Sequence, residues 1–294
     1  MIYPKTAFAL PSVDGIKMDW VIPPSESRRM EKWVFDSTTT AHFRFDVDPR
    51  GAPWFVDGHD RLLLDFLVME GNIIPMRTES RFDDGVFLDG GVHPFCAGRR
   101  LAFLHVEDKG QRTLENGLVQ VQFKPFLNLP DGDCRLFSGG QRTIYVVLHK
   151  GAGGGDDIFL LRSDPRRPRK LEKILSASEP ITALAGDGDK TYYAAGREIY
   201  ELSRGETKAK PFYSADEPVT GLAYSAAAGV FYATTSHVGF ASPAFQMNFF
   251  TSPDPEIALR GDAVYVRLSQ KLAVLKISGA RKFKSLARAG KAAP

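Results

Sequence analysis

The chain repeats itself at long range. EPITALAGDGDKTYYAAG at 179–196 returns as EPVTGLAYSAAAGVFYAT at 217–234, so that Pro218 follows Pro180 by 38 residues. A third copy, DPEIALRGDAVYVRLSQKLAVLKI, places Pro255 another 37 residues on. A fixed period of this size constrains a fold more than any local pattern, because each unit is one supersecondary element that buries its faces on its neighbours. Within a unit, a short apolar strand (ITALA) leads to a Gly/Asp turn (GDGD), an aromatic strand (TYYAA), a Gly turn, an alternating strand (REIYEL) and a polar-flanked strand (KAKPFYS). Short β-branched and aromatic runs punctuated by turn residues predict a four-stranded meander.

Earlier copies diverge but keep the order. HFRFDVDPRGAPWFVDGHDRLLLDFL at 42–67, HPFCAGRRLAFLHVED at 93–108 and CRLFSGGQRTIYVVLHKGAGGGDDIFLLRSD at 134–164 carry the same succession with longer loops, and the outer strands KPFLNLP, KILSAS, KPFYSAD and KFKSLAR echo one another. Units begin near residues 42, 93, 133, 180, 218 and 255. A lone four-stranded sheet exposes two edges and leaves a face bare, whereas units closed radially protect both. The expected fold is all-β: a β-propeller of six four-stranded blades over 42–288, with 1–41 as an N-terminal latch and 289–294 as a basic tail. Seven blades result instead if FALPS, IKMDWVIP and EKWVFDS in the first forty residues complete a further, partial one.

Composition agrees with a packed core: 43% of the 294 residues are hydrophobic and 25% charged, the balance of a globular chain. The longest apolar run, LLLDFLVM at 62–69, is broken by Asp65 and is far shorter than the roughly 20 residues a membrane helix needs. MIYPKTAFALPSVDG has too short an apolar stretch for a signal peptide. A cytoplasmic location is therefore expected, or a periplasmic or extracellular one for a chain trimmed of its signal. Cys96 and Cys134 are too few for a disulfide framework and are expected to be too far apart or misdirected to bridge. The formal charge of +3 is unevenly spread, with Lys276, Arg281, Lys282, Lys284, Arg288 and Lys291 crowding a C-terminus that has no acid after Asp262.

DVDPRGAPWFVDGHDRLLLDF carries an Asp-Pro-x-Gly turn, an apolar strand ending in Asp, a turn and an Arg-apolar start. It resembles the signature of the six-bladed propeller superfamily of NHL-repeat and gluconolactonase/phosphotriesterase proteins, best over 42–67 and 180–275. For hydrolase members the resemblance implies a calcium ion at the channel mouth, held by Glu, Asn and Asp side chains of the inner strands. This chain has Asn only at Asn72, Asn116, Asn128 and Asn248, none of them opening an inner strand. The resemblance therefore carries the architecture and not that metal.

Registering the units on their first apolar residue brings His42, His93, Cys134 and Glu256 to equivalent positions of consecutive blades, a ligand set suited to zinc or another transition metal. A register error of one residue would turn each side chain to the opposite face, leaving ordinary strand starts. Arg166, Arg167, Arg169 and Lys170, with Arg281, Lys282 and Lys284, form two basic rim patches. Solvated loops explain them, and as binding surfaces they suit an acidic protein partner better than nucleic acid, which asks for a basic face with interleaved aromatics. GAGGGDD lacks the Gly-Lys-Ser/Thr of a phosphate loop, there is no His-Glu-x-x-His or Cys-x-x-Cys, and the acid pairs Asp83-Asp84 and Asp156-Asp157 read as solvated turns. The expected function is a non-catalytic scaffold that binds a protein partner and needs no cofactor. The alternative is a metal-dependent hydrolase of the lactonase or phosphotriesterase type, with one divalent ion on the propeller axis.

Overall fold

The computed structural model describes residues 16–22, 44–47, 53–57, 62–67, 72–78, 81–86, 93–106, 119–139, 143–151, 153–162, 170–226, 229–242, 245–261, 263–268 and 271–277. Strand β1 (Ile16–Ile22) comes first and pairs last. The chain then runs as antiparallel meanders. The first is β2 (Arg44–Val47), β3 (Pro53–Asp57), β4 (Leu62–Leu67) and β5 (Asn72–Thr78); the second is β6 (Asp84–Gly85), β7 (Pro94–Ala97), β8 (Arg100–Val106) and β9 (Val119–Asn128). The third is β10 (Asp133–Ser138), β11 (Thr143–His149), β12 (Asp156–Arg162) and β13 (Leu171–Ala177); the fourth is β14 (Ala183–Gly186), β15 (Lys190–Ala195), β16 (Glu198–Ser203) and β17 (Lys210–Ser214). The fifth is β18 (Val219–Ser225), β19 (Gly229–Thr234), β20 (His237–Ser242) and β21 (Phe245–Thr251), followed by β22 (Glu256–Arg260), β23 (Ala263–Leu268) and β24 (Lys271–Ile277). β1 completes that last sheet antiparallel to β24, with Ile16 opposite Ile277. β1 is thus the outer strand of that sheet, while KFKSLAR, expected in that place, lies outside the described residues. The first two meanders share one eight-stranded sheet, joined where β5 and β9 pair in parallel.

The second meander departs from the expected register. Cys96-Ala97-Gly98-Arg99-Arg100 and Ala194-Ala195-Gly196-Arg197-Glu198 make the same turn, with Gly98 at φ 56° and Gly196 at φ 59°. Such backbone is cheap only for glycine. The turn carbonyls accept matching bonds from the ends of the outer strands, Leu129 N–H to Arg99 O at 2.8 Å and Ala215 N–H to Arg197 O at 2.9 Å. β7 is therefore a second strand, as β15 is, and the first strand is the two-residue Asp84–Gly85 inside FDDGV. His93 precedes the second strand of its unit and does not open the first, which corrects the alignment that put it beside His42 and Cys134.

The core lies in layers between consecutive sheets. Val86, Cys96, Leu101, Leu136, Ile144 and Val146 fill the space between the second and third meanders. Tyr145, Val147, Ile158, Leu184 and Tyr193 fill that between the third and fourth, and Ala183, Tyr192, Ala194, Val219 and Tyr232 that between the fourth and fifth. Burying both faces of a sheet takes near-continuous apolar strands, and β11 and β14 are buried along almost their whole length. The first strands pack side by side, β6 on β10, β10 on β14, β14 on β18, β18 on β22 and β22 on β2. An ion pair between Arg44 and Asp84 links β2 to β6 and closes the circuit. The molecule is an all-β propeller, with no helix among the described residues and hence none there that could cross a membrane.

Candidate functional site

The first strands bring charge to the axis. Asp84, short of space in its two-residue strand, gathers three neighbours. Its Oδ2 accepts from Arg44 Nη1 on β2 and from the Leu136 N–H of β10 at 2.7 Å, and its Oδ1 from Gly85 N–H at 2.9 Å. Burial works against the Arg44 guanidinium but is outweighed by Asp84, Asp46 and Glu256, which leave its pKa raised. Arg135 on β10 stands next to it, and the two guanidiniums sit over one ring, that of Phe137, at 5.3 Å and 5.2 Å from its centroid. Arg135 donates to Ile181 O at 2.9 Å and Thr182 O at 3.0 Å, both neutral carbonyls. The residue is exposed. Burial, and then the Arg44 charge, lower its pKa.

Ile181 couples this cation to an acid–base pair. The Ile181 N–H donates to Asp156 Oδ2 at 2.7 Å, and Asp156 Oδ1 meets His149 Nδ1 at 2.7 Å. A carboxylate only accepts, so Nδ1 carries the hydrogen and Nε2 is the basic nitrogen. Asp156 is buried, while the His149 side chain is 34% exposed, which leaves the ring open to solvent. Next to it, Asp157 meets Lys150 and Lys173 at 2.8 Å each and Ser176 Oγ at 2.7 Å. These contacts overcome the effect of burial and hold its carboxyl down to about 2.

Arg260, at the far end of β22, closes the ring below. Its guanidinium donates to Asp46 Oδ1 at 2.7 Å, to Val47 O and to Ser138 Oγ at 3.4 Å, tying the ends of β2 and β10 to its own strand. Both partners of the Arg260–Asp46 pair are buried. Charges at that depth persist only when paired and hydrogen-bonded.

A divalent cation does not suit this donor set. Asp84, Asp46 and Glu256 are each bound to a guanidinium, of Arg44, Arg260 and Arg267 respectively. Arg44 and Arg135 add positive charge where a metal would have to enter. Among the described residues no three His, Cys, Asp or Glu side chains are grouped to hold a metal ion.

Of the residues singled out by sequence, His93, Cys134, Lys170 and Glu256 are described. His42 lies outside the described residues, His93 is half-buried ahead of β7, and Glu256 opens β22 paired with Arg267. Cys134 points into the core beside Cys96, whose Sγ is 3.5 Å from the Cys134 carbonyl oxygen. Both are free, buried thiols, nearer to each other than expected, and burial pushes the Cys96 pKa up. Lys170 is exposed ahead of β13, whereas Arg166, Arg167, Arg169, Arg281, Lys282 and Lys284 lie outside the described residues. The functional candidates that sequence reasoning missed are Arg44, Asp84, Arg135, His149 and Asp156. Aligning CAGRR on AAGRE would have moved the second unit into register and placed Asp84 on a first strand. A second histidine, His237, is buried with Nδ1 at 3.0 Å from Thr234 Oγ1 and 3.1 Å from Ser236 Oγ, and it clamps a turn.

No protein-family model matches the chain, and no curated protein sequence does. Solved structures resemble it. A luciferin-regenerating enzyme matches with a TM-score of 0.60 over 89% of this chain and 95% of its own, at 12% identity. A putative gluconolactonase matches at 0.56 over 93% and 95%, also at 12% identity. The PQQ-bound aldose sugar dehydrogenase of Streptomyces coelicolor matches at 0.59 over 91% and 99%, at 13% identity. At such identities the likeness speaks for the fold, the β-propeller architecture suspected from the repeat. These neighbours are enzymes, and that overturns the expectation of a non-catalytic scaffold built to bind a protein partner.

Proposed function

We propose that the chain is a hydrolase that opens a small cyclic ester at the mouth of its central channel. The observation that carries this reading is the Asp156–His149 pair, held next to Arg135 through the backbone of Ile181. In this reading Asp156 fixes the imidazole by accepting its Nδ1–H, and Nε2 of the partly exposed ring takes a proton from a water molecule. That water attacks the ring carbonyl. The ester C–O bond breaks, the departing ring oxygen takes up a proton, and a hydroxy acid leaves as its carboxylate. The putative gluconolactonase among the neighbours supports the choice of a lactone as substrate. No step of the reading passes through a metal ion.

The test is a pH-stat assay on glucono-δ-lactone, simple γ- and δ-lactones and a phosphotriester. The expected result is lactone turnover that His149→Ala lowers by roughly 10²- to 10⁴-fold, with Asp156→Asn also impaired because the tautomer is no longer fixed. Turnover of the phosphotriester alone, or lactone turnover indifferent to both substitutions, overturns the proposal.

A further inference from the structure

The Asp84 carboxylate neutralises Arg44. Among the described residues Arg135 has no such partner. Its described hydrogen bonds end on two neutral carbonyls, and Asp84 and Asp156 attract it only from farther off. The guanidinium of this exposed residue lies over the same phenyl ring as a second one, and the carboxylates near it, Asp84 and Asp156, act on it without a described direct bond. It also keeps N–H donors beyond the two already used, in the planar fork that matches a carboxylate.

From this we infer that Arg135, backed by Arg44 and Phe137, is an anion subsite at the channel mouth that takes a monocarboxylate and not a divalent cation. The inference rests on the hydrolase reading for the origin of the anion. Ring opening turns a neutral lactone into a hydroxy acid anion, and the subsite lies one residue, Ile181, from the pair assigned to that step. The enzyme is thus held by its own product. A doubly charged phosphate suits the site less well, because Asp84 and Asp156 lie near Arg135 and repel a second negative charge more than a first.

The experiment is calorimetric titration of the full chain, in chelator, with D-gluconate, sorbitol, inorganic phosphate and calcium chloride as separate probes. Saturable gluconate binding is expected, with no binding of neutral sorbitol and weaker binding of phosphate. Arg135→Gln should weaken gluconate roughly tenfold or more, the usual effect of losing hydrogen bonds to a charged group. Arg135→Lys, which keeps the charge without the fork, should fall between the two, and the melting temperatures of both variants report whether the fold is kept. Equal gluconate affinity in the wild type and both variants overturns the subsite, as does phosphate binding as tightly as gluconate, or gluconate binding only when calcium is present. The two proposals fail separately. Gluconate binding that depends on Arg135 without lactone turnover rejects the hydrolase and keeps the anion subsite, and turnover without such binding does the reverse.

Discussion

The inner ring of strands has two unlike halves. β14 (ALAG) and β18 (VTGLAYS) bring no charged residue to it, and β14 is buried throughout. β2, β6, β10 and β22 bring Arg44, Asp46, Asp84, Arg135, Glu256 and Arg260. The neutral half comprises the two units whose sequences repeat most closely. The charged part comprises the divergent units opened by β6 and β10 together with those opened by β2 and β22. Repetition is what stacking one sheet on the next requires, so it records the scaffold, whereas a site needs particular side chains in particular units and shows as a break in the repeat.

The largest expected contrast between the halves is in stability. Arg260→Ala leaves Asp46 buried without its cation and should cost on the order of 3–5 kcal/mol. In the neutral half, Thr220→Ala loses only a hydrogen bond to Ala233 O at 3.3 Å, worth about 1 kcal/mol or less. Chemical denaturation of both variants checks this, and equal losses would mean that the charged half does not secure the ring. Asp84→Asn comes next. It preserves the shape while removing the countercharge of Arg44, and should cost roughly 1–3 kcal/mol in the same measurement.

A smaller effect sharpens the boundary between the halves. Tyr145, in the third meander, meets Thr191 Oγ1 at 3.0 Å and accepts the Gly188 N–H at 3.0 Å, both in the fourth. Tyr145→Phe removes these bonds from a buried place and should lower stability by about 1–2 kcal/mol. The same loss from substituting an exposed tyrosine would remove the boundary's significance.

The smallest effect depends on pH. Asp157 has a pKa held to about 2 when folded, against about 3.9 for an unfolded aspartate. Because the folded value is the lower one, its contribution is present above about pH 4 and is lost as pH falls toward 2. Lys150 and Lys173 are nearly half exposed, so solvent screening limits the contribution to about 1 kcal/mol or less. Asp157→Asn should flatten the acid limb of a stability–pH curve by removing that contribution above about pH 4 while changing little near pH 2.

The architecture was legible in the sequence because period, turn glycines and strand alternation all report backbone geometry. The all-β class and the four-stranded sheets came from that signal. The site was much less legible. Asp84 sits on a first strand of two residues, too short to register as alternation, so FDDGV looked like a turn. Asp156 was set aside as a solvated acid because its burial depends on Ile181, 25 residues later in the chain and in the next sheet. His149 gains its meaning only from that carboxylate. The pairing of Arg44 with Asp84 spans 40 residues and two units, a distance over which charge patterning carries no sequence signal.

The proposed hydrolase reading assigns the work at the channel mouth to the Asp156–His149 pair and not to a bound cation. The most direct measurement is the initial rate of lactone hydrolysis by the wild type and His149→Ala, each with excess chelator and with added calcium. The account predicts a wild-type rate unchanged by chelator and a loss of roughly a hundredfold or more in the variant under both conditions. A wild-type rate abolished by chelator and restored by calcium, with His149→Ala as active as the wild type, would contradict it.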